Sequence, residues 1–212
     1  MHNLNRPTLE RLLLYYHFIN AHMDRNDTDT VSSAKLAKFM DSDDTQVRKD
    51  LAAIGLKGRP RIGFVASEVK NKIRHVLGFD ENNRAVVIGA GRLGGAIASY
   101  KGLADYGLEI VALFDNDQQK IGLTVGHHIV QPVNRLTTIV KRRDVHLGII
   151  TVPADAAQEV ADRLVQAGVN TIWNFSPTSI PAIEGGAVRH EHIAVGLAEL
   201  LYHLKKTLHP AD

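Results

Sequence analysis

The 212-residue chain contains no cysteine. That excludes a disulfide scaffold, thiolate catalysis, a Cys-ligated zinc site and an iron–sulfur cluster. It also fits a reducing compartment. Charge of one sign is nearly absent in bulk, since the formal net charge is only +2. Partners must therefore be sought in how the charge is distributed. No apolar run approaches the ~18 residues that a membrane span needs. Leu12-Leu13-Leu14-Tyr15-Tyr16-His17-Phe18-Ile19 follows Arg6 and Arg11 and superficially resembles a signal peptide. It holds a histidine and runs into Asn20, His22 and Asp24 with no small-residue cleavage site. A core helix in a soluble cytoplasmic protein is expected. Internal repeats and low-complexity segments are missing too. What is present is ordinary globular material, 44% hydrophobic and 23% charged, long enough for one large domain or two small ones.

The pattern changes near Gly78–Arg84, where Gly78-Phe79-Asp80-Glu81-Asn82-Asn83 reads as a polar turn. Before it the periodicity is helical. A first helix is expected from about Thr8 to Met23, with Leu9, Leu12, Leu13, Tyr16, Ile19 and Met23 at helical spacing. A polar loop, Asp24 to Thr30, follows. Ser32 can cap a short second helix bearing Leu36, Ala37 and Met40. Asp43 can cap a third, with Gln46 in a capping-box position. Val47, Leu51 and Ile54 share a face of that helix, leaving Gln46, Arg48, Lys49 and Asp50 to point elsewhere. This order is helix-turn-helix, whose last helix enters the DNA major groove. Lys57-Gly58-Arg59-Pro60-Arg61-Ile62-Gly63-Phe64 suits a basic wing, and a fourth helix fits Ser67 to Leu77. From Thr45 to His75 the cations are Arg48, Lys49, Lys57, Arg59, Arg61, Lys70, Lys72 and Arg74, against only Asp50 and Glu68. Such a local excess is what neutralising phosphates requires.

After the turn, β-rich runs alternate with helices, which implies parallel βαβ units. Strands are expected at Arg84–Ile88, Glu109–Phe114, His127–Val130, His146–Val152 and Thr171–Asn174, and helices at Gly94–Gly102, Arg135–Arg142 and Ala154–Gly168. Ala85-Val86-Val87-Ile88 runs into Gly89-Ala90-Gly91-Arg92-Leu93-Gly94, a G-x-G-x-x-G that opens a helix of small residues. The three glycines serve the tight turn, the pyrophosphate's approach and close helix–strand packing. The helix N-terminus then faces the phosphates. The next strand ends in Asp115, about 20 residues on, where a carboxylate receives the ribose hydroxyls. It repels a 2′-phosphate, favouring NAD(H) over NADP(H). Thr151-Val152-Pro153 and Asn174-Phe175-Ser176-Pro177 follow later strands, so both are expected to border the cofactor.

Catalytic chemistry is poorly supplied. The 130 or so residues after the turn are about enough for a cofactor domain and little more. The eleven histidines include His127-His128 and His190-Glu191-His192, which match no H-E-x-x-H and have no third ligand, so no metal site is expected. A last helix, Ile193 to Leu208, carries an apolar stripe of Ile193, Leu197, Leu200, Leu201, Leu204 and Leu208, widened by Val195 and Tyr202. It is too apolar to lie bare on a small domain. Its own sheet could cover it, or a partner across a twofold axis, as reading a palindromic site requires.

Taken together, these residues resemble the Rex family of bacterial redox-sensing repressors. The resemblance spans nearly the whole chain: Arg11-Leu12…Tyr15-Tyr16, Val31-Ser32-Ser33, Val47-Arg48-Lys49-Asp50-Leu51, Gly89–Gly94, Phe114-Asp115-Asn116-Asp117…Lys120-Ile121-Gly122, Thr151-Val152-Pro153-Ala154, Asn174-Phe175-Ser176-Pro177 and Ala194-Val195…Leu204-Lys205. It implies an α/β homodimer: a winged helix-turn-helix domain (1–78), a Rossmann-like doubly wound parallel sheet (79–192), and a dimerisation helix (193–212) swapped onto the partner. It implies that NADH releases the dimer from a palindromic operator, whereas NAD+ competes without releasing it. Ser33, Thr45, Gln46, Arg48, Lys49, Lys57, Arg59 and Arg61 are the expected DNA contacts. Gly89, Ala90, Gly91, Arg92, Leu93, Gly94, Tyr100, Asp115, Thr151, Val152, Pro153, Asn174, Phe175 and Ser176 are the expected cofactor contacts. The family couples cofactor to domain orientation through an arginine, a tyrosine and an acidic residue. Arg11 and Tyr100 match the first two, but His192 aligns with the third. A neutral histidine cannot form the same ion pair, and a protonated one repels the arginine. The wing departs as well, with Pro60 and Arg61 at a usual glycine turn and Phe64 for a common tyrosine. An NAD-dependent oxidoreductase, or a DNA- and NAD-binding paralogue with altered switching, are the alternatives.

Overall fold

The computed structural model describes residues 4–23 and 30–208. The chain divides into two compact units, Met1–Glu81 with Asp105–Gly107, and Asn82–Ala104 with Leu108–Asp212.

The first unit is built from α1 (Arg6–Met23), β1 (Thr30–Val31), α2 (Ser33–Phe39), α3 (Asp44–Ala53), β2 (Phe64–Val65) and α4 (Ala66–Leu77). Pro7 sits in the first turn of α1, where its missing N–H costs nothing. The buried face of α1 is Leu12, Tyr15, Tyr16 and Ile19 with Phe18, while Leu9 is exposed. The stripe is therefore rotated from the expected one, because Tyr15 is drawn inward by a buried partner described below. These side chains meet Leu36, Val47, Leu51, Ile54, Val69 and Ile73 in one core. Both expected caps form: Ser32 Oγ accepts from the Lys35 amide at 3.1 Å, and Asp43 Oδ1 from the Thr45 amide at 2.7 Å. The reciprocal half of the capping box does not, since Gln46 turns forward to Asp50 at 2.9 Å. The loop expected from Asp24 lies outside the described residues up to Thr30, which opens β1.

The wing turns at its tip and joins a two-stranded sheet whose other strand precedes α2. β1 and β2 pair antiparallel, Thr30 with Val65 and Val31 with Phe64. Arg59 and Gly63 exchange backbone hydrogen bonds of 2.7 and 2.9 Å around the tip. Gly63 has φ +95°, and a Cβ there would stand 2.5 Å from the Val31 carbonyl oxygen. Only glycine lets the wing lie this close to β1.

The second unit contains β3 (Asn83–Ile88), α5 (Arg92–Ser99), β4 (Leu108–Asp115), β5 (Thr124–Val125), β6 (His128–Pro132), α6 (Leu136–Arg143), β7 (Leu147–Ile150), α7 (Ala154–Gln166), β8 (Thr171–Asn174), β9 (Ala187–His190) and α8 (Ile193–Leu208). The sheet order is β5-β6-β4-β3-β7-β8-β9. Neighbours are parallel except in the β5–β6 hairpin. From β3 the chain winds outward to β4 and β6, then returns to β7 on the other side. The switch point is thus between β3 and β7, where a doubly wound sheet opens its ligand crevice. Strand β3 is apolar throughout because both its faces are buried: Val86 and Ile88 join a core with Phe114, Leu136 and Leu164, and Ala85 and Val87 one with Leu113 and Ile149.

Two strands of the second unit were not expected. β5 is two residues long, and β9 alternates exposed with half-buried residues, so neither shows an apolar run. β6 runs on to Pro132, and β7 stops at Ile150, short of Val152. α5 begins at Arg92 and ends at Ser99, with a 3-10 turn over Lys101–Tyr106 in place of its expected last turn. No described helix is long and apolar enough to cross a membrane.

Candidate functional site

In the first unit, Ser33, Arg48, Lys57, Arg59 and Arg61 line one groove between α2, α3 and the wing, of about 660 Å³. Arg48 reaches Thr45 Oγ1 at 3.3 Å and Ser33 Oγ at 3.4 Å, and is paired with Asp44 one turn back. That exposed i,i+4 pair contributes only about 0.5 kcal/mol, so phosphate or a base edge displaces it readily. Lys49 is exposed on α3 outside the groove. Arg61 holds φ +64° at the wing tip, a left-handed conformation that costs an L side chain about 1 kcal/mol.

Two residues of α3 behave differently from the expectation that they point away from the core. Asp50 is 2% exposed. Its carboxylate accepts from Arg11 Nε at 2.6 Å and Nη2 at 2.8 Å, from the Tyr15 hydroxyl at 2.9 Å and from Gln46 Nε2 at 2.9 Å. Gln46 is thereby engaged with Asp50. Burial works to raise the Asp50 pKa, but the bonds from Arg11, Gln46 and Tyr15 outweigh it and hold the group below the usual carboxylate range. Burial, with help from Asp50, also pushes the Tyr15 hydroxyl up, so it stays a donor. Arg11 is therefore partnered within its own unit, and one of the two anions of the basic stretch is neutralised internally.

In the second unit a crevice of about 660 Å³ lies along the carboxyl ends of the strands. Gly89, Gly91, Asp115, Thr151, Val152, Pro153 and Phe175 line it. Gly94 packs behind the loop: a Cβ there would stand 1.8 Å from the Gly89 carbonyl oxygen. Asp115, 6% exposed, fastens the loop to β4 by accepting from the Ala90 amide at 2.8 Å and the Asp117 amide at 2.9 Å. Lys120 Nζ is 3.0 Å from the same carboxylate. Burial again opposes ionisation, but the Asp117 amide, Lys120 and the Ala90 amide prevail and lower the Asp115 pKa. Asp115 thus remains a charged acceptor on the wall of the crevice. Lys120 is a lining residue that was not singled out as a site residue; its spacing from Asp115, five residues across a turn, was the available signal.

Other expected cofactor residues have structural duties. Thr151 Oγ1 donates to the carbonyls of Ile88 and Gly89 at 3.1 and 2.9 Å, holding the base of the loop. Asn174 and Ser176 are buried. Ser176 Oγ donates to the Val152 carbonyl at 2.6 Å, and Asn174 to the Thr178 carbonyl at 2.7 Å and His190 Nδ1 at 3.0 Å. Arg92 and Leu93 lie exposed on the first turn of α5, and Tyr100, just past its end, is 62% exposed. His192 is exposed, its ring stacked on His190 with centroids 5.9 Å apart. Among the described residues no three His, Cys, Asp or Glu side chains group as a metal site. Val195, Leu197, Leu200, Leu201, Tyr202, Leu204 and Leu208 of α8 are each more than half exposed, so its own sheet does not cover them.

Comparison with known proteins matches both units. Residues 3–52 fit the family described as putative DNA-binding protein N-terminus, and residues 80–178 the CoA binding domain family. The redox-sensing transcriptional repressor Rex of Carboxydothermus hydrogenoformans is 38% identical over 94% of this chain and 95% of its own length. That of Pelotomaculum thermopropionicum is 39% identical over 93% and 92%. A crystal structure of RSP with β-NAD+ and operator DNA superposes with a TM-score of 0.90 at 30% identity, covering 96% of this chain and 94% of that one. RSP with β-NADH gives 0.87 at 29%, covering 98% and 97%. The chain belongs to the Rex family of redox-sensing transcriptional repressors.

Proposed function

We propose that this protein is a transcriptional repressor that senses the NADH/NAD+ ratio, and that NADH releases it as a homodimer from a palindromic DNA operator. The supporting observation is that one chain carries a basic helix-turn-helix groove and a glycine-loop crevice, and aligns almost end to end with repressors crystallised with operator DNA and with NADH. Thr45, Arg48 and Lys49 face the major groove, with Ser33, Lys57, Arg59 and Arg61 on phosphates or the minor groove. Gln46 holds Asp50 and contributes through α3's orientation. Gly89 to Gly94 and Asp115 hold the dinucleotide, and Pro153 and Phe175 wall it. Bare α8 seats on the partner protomer, which satisfies its apolar stripe and supplies the twofold axis. Arg11 and Tyr100 take part in switching, and His192 replaces the carboxylate that completes the family's set. The protein acts by binding in the cytoplasm and turns over no substrate.

A ligand moves an equilibrium only by its differential affinity for the two states. NADH must therefore bind the DNA-free arrangement more tightly than the bound one. A gel shift on a palindromic operator, with NADH and NAD+ added separately, tests this. Release by NADH alone is expected; equal retention under both rejects redox sensing. Steady hydride transfer to a small carbonyl compound would instead support the oxidoreductase reading.

Arg61 offers a sharper check on the wing. Arg61→Gly relieves the left-handed strain and is expected to raise the unit's stability by about 0.5 kcal/mol in thermal melts. It removes one phosphate contact, so the slope of log affinity against log salt should become shallower by about 1. A variant that melts later but binds DNA with an unchanged salt slope would take Arg61 off the DNA.

A further inference from the structure

The ladder between β4 and β6 is short. It joins Leu113 to Val130, Phe114 to Gln131 and Asp115 to Pro132. Before that, β6 turns away and pairs His128 and Ile129 with β5. Of the first five residues of β4, Leu108, Glu109, Ile110 and Ala112 are paired with β3 along one edge, and Val111 stands at a bulge between them. Among the described residues no ladder covers their other edge. A groove of about 660 Å³ lies where a longer β6 would run, bordered by Val111 and Ala112 of β4, Ile129 of β6 and Ile139 of α6.

The rim of this groove is basic: Arg135, Arg142 and Arg143 line it, and none of its described lining residues is a carboxylate. Arg135 makes one long bond, 3.4 Å, to Gln131. The guanidinium groups of Arg142 and Arg143 make no hydrogen bond or ion pair among the described residues. An open strand edge is a template for another strand. Cations along it oppose pairing with a second copy of the same edge, since like charges would be brought together. They favour an acidic partner instead.

We propose that the free edge of β4 accepts an extended acidic peptide segment of a partner protein, added as a strand, with its carboxylates on the arginine rim. Strand addition draws affinity from main-chain hydrogen bonds and specificity from alternate side chains. Here the alternate side chains would meet Arg135, at the N-cap of α6, and Arg142, in its last turn, which line the groove with Thr138 and Ile139.

The test uses the full-length protein and a fluorescein-labelled peptide of about ten residues alternating glutamate with valine and threonine. Its counterparts carry lysine for glutamate, or backbone N-methyl groups on one or the other alternate set of amides. The acidic peptide is expected to bind, and the lysine peptide to bind at least about tenfold more weakly. One N-methylated set should lose about tenfold and the other almost nothing, because an added strand presents only alternate amides to its neighbour. The double substitution Arg135→Ala with Arg142→Ala should weaken the acidic peptide by about tenfold while leaving NADH binding unchanged. Amides of residues 108–112 should gain protection from hydrogen exchange. Absence of binding overturns the proposal. So does equal binding by both N-methylated sets, which marks a charge contact without strand addition. Displacement of the peptide by an equal concentration of inorganic pyrophosphate likewise marks a simple anion pocket and overturns it.

Discussion

Asp50→Ala is expected to lower the unfolding free energy by about 3 kcal/mol and to weaken operator binding by at least about tenfold. Asp50 is buried and binds four donor groups from α1 and its own helix. Removing it leaves the Tyr15 hydroxyl without its acceptor and the Arg11 guanidinium without its counter-charge. Breaking a buried pair costs roughly 3–5 kcal/mol when the remaining charge is fully enclosed. Arg11 keeps 24% side-chain exposure, so the low end applies. DNA affinity suffers because the same bonds set the tilt of α3 against α1. Asp50→Asn retains acceptor and shape but not charge, and should fall between the two. Urea unfolding and a fluorescence titration of operator read the two effects. An alanine variant of unchanged stability would remove the network from any role in holding the reading helix.

The same carboxylate predicts an acid dependence. Its folded pKa is depressed, whereas the unfolded one lies near ~3.9. Its stabilisation is complete above the unfolded value and is lost as pH falls toward the folded one. Asp50→Asn should therefore lose less stability than the parent between about pH 5 and pH 3. Asp115, depressed in the same direction, leaves both proteins with a common residual slope.

Gly94→Val is expected to reduce NADH and NAD+ affinity at least about 100-fold, equivalent to about 2.8 kcal/mol. A Cβ at this position would collide with the Gly89 carbonyl oxygen and with Thr151 Oγ1, 1.8 and 2.6 Å away. Both belong to the structure that keeps the loop's amides turned toward the crevice. The helix cannot retreat cheaply, because Gly95 and Ala98 bury its inner face. The first unit lies outside this collision, so operator binding without dinucleotide should persist. The variant should then remain on DNA in the presence of NADH. Trp173, the only tryptophan, lies half-buried in the second unit against Phe175 and gives a signal for the titration. Tight NADH binding by the variant would show that this loop does not form the dinucleotide cradle.

Where a residue's role depended on its neighbours along the chain, it was legible from sequence. Ser32 and Asp43 cap helices because a short side-chain oxygen two or three residues before an amide suffices. The glycine loop was legible because tight turn, phosphate approach and close packing each demand a missing side chain at a set spacing. Strand β3 was clear because burial on both faces requires four apolar residues in a row. By contrast, β5 and β9 lie at sheet edges, where one-sided burial leaves no apolar run. The register of α1 was misjudged because the inward turn of Tyr15 depends on Asp50, 35 residues away.

Local chemistry along the chain thus determined the two recognition elements, a basic helix-turn-helix with a wing and a glycine loop with an acidic strand end. Both follow from side-chain periodicity and backbone sterics, which act over a few residues. The tertiary structure decided which charges those elements keep for use. It took Asp50 and Gln46 off the outward face, spent Asn174 and Ser176 on holding the strand ends, and left the helix α8 and half of β4 uncovered. Ion pairing, burial and strand register join residues far apart in sequence, so only the folded chain could settle them.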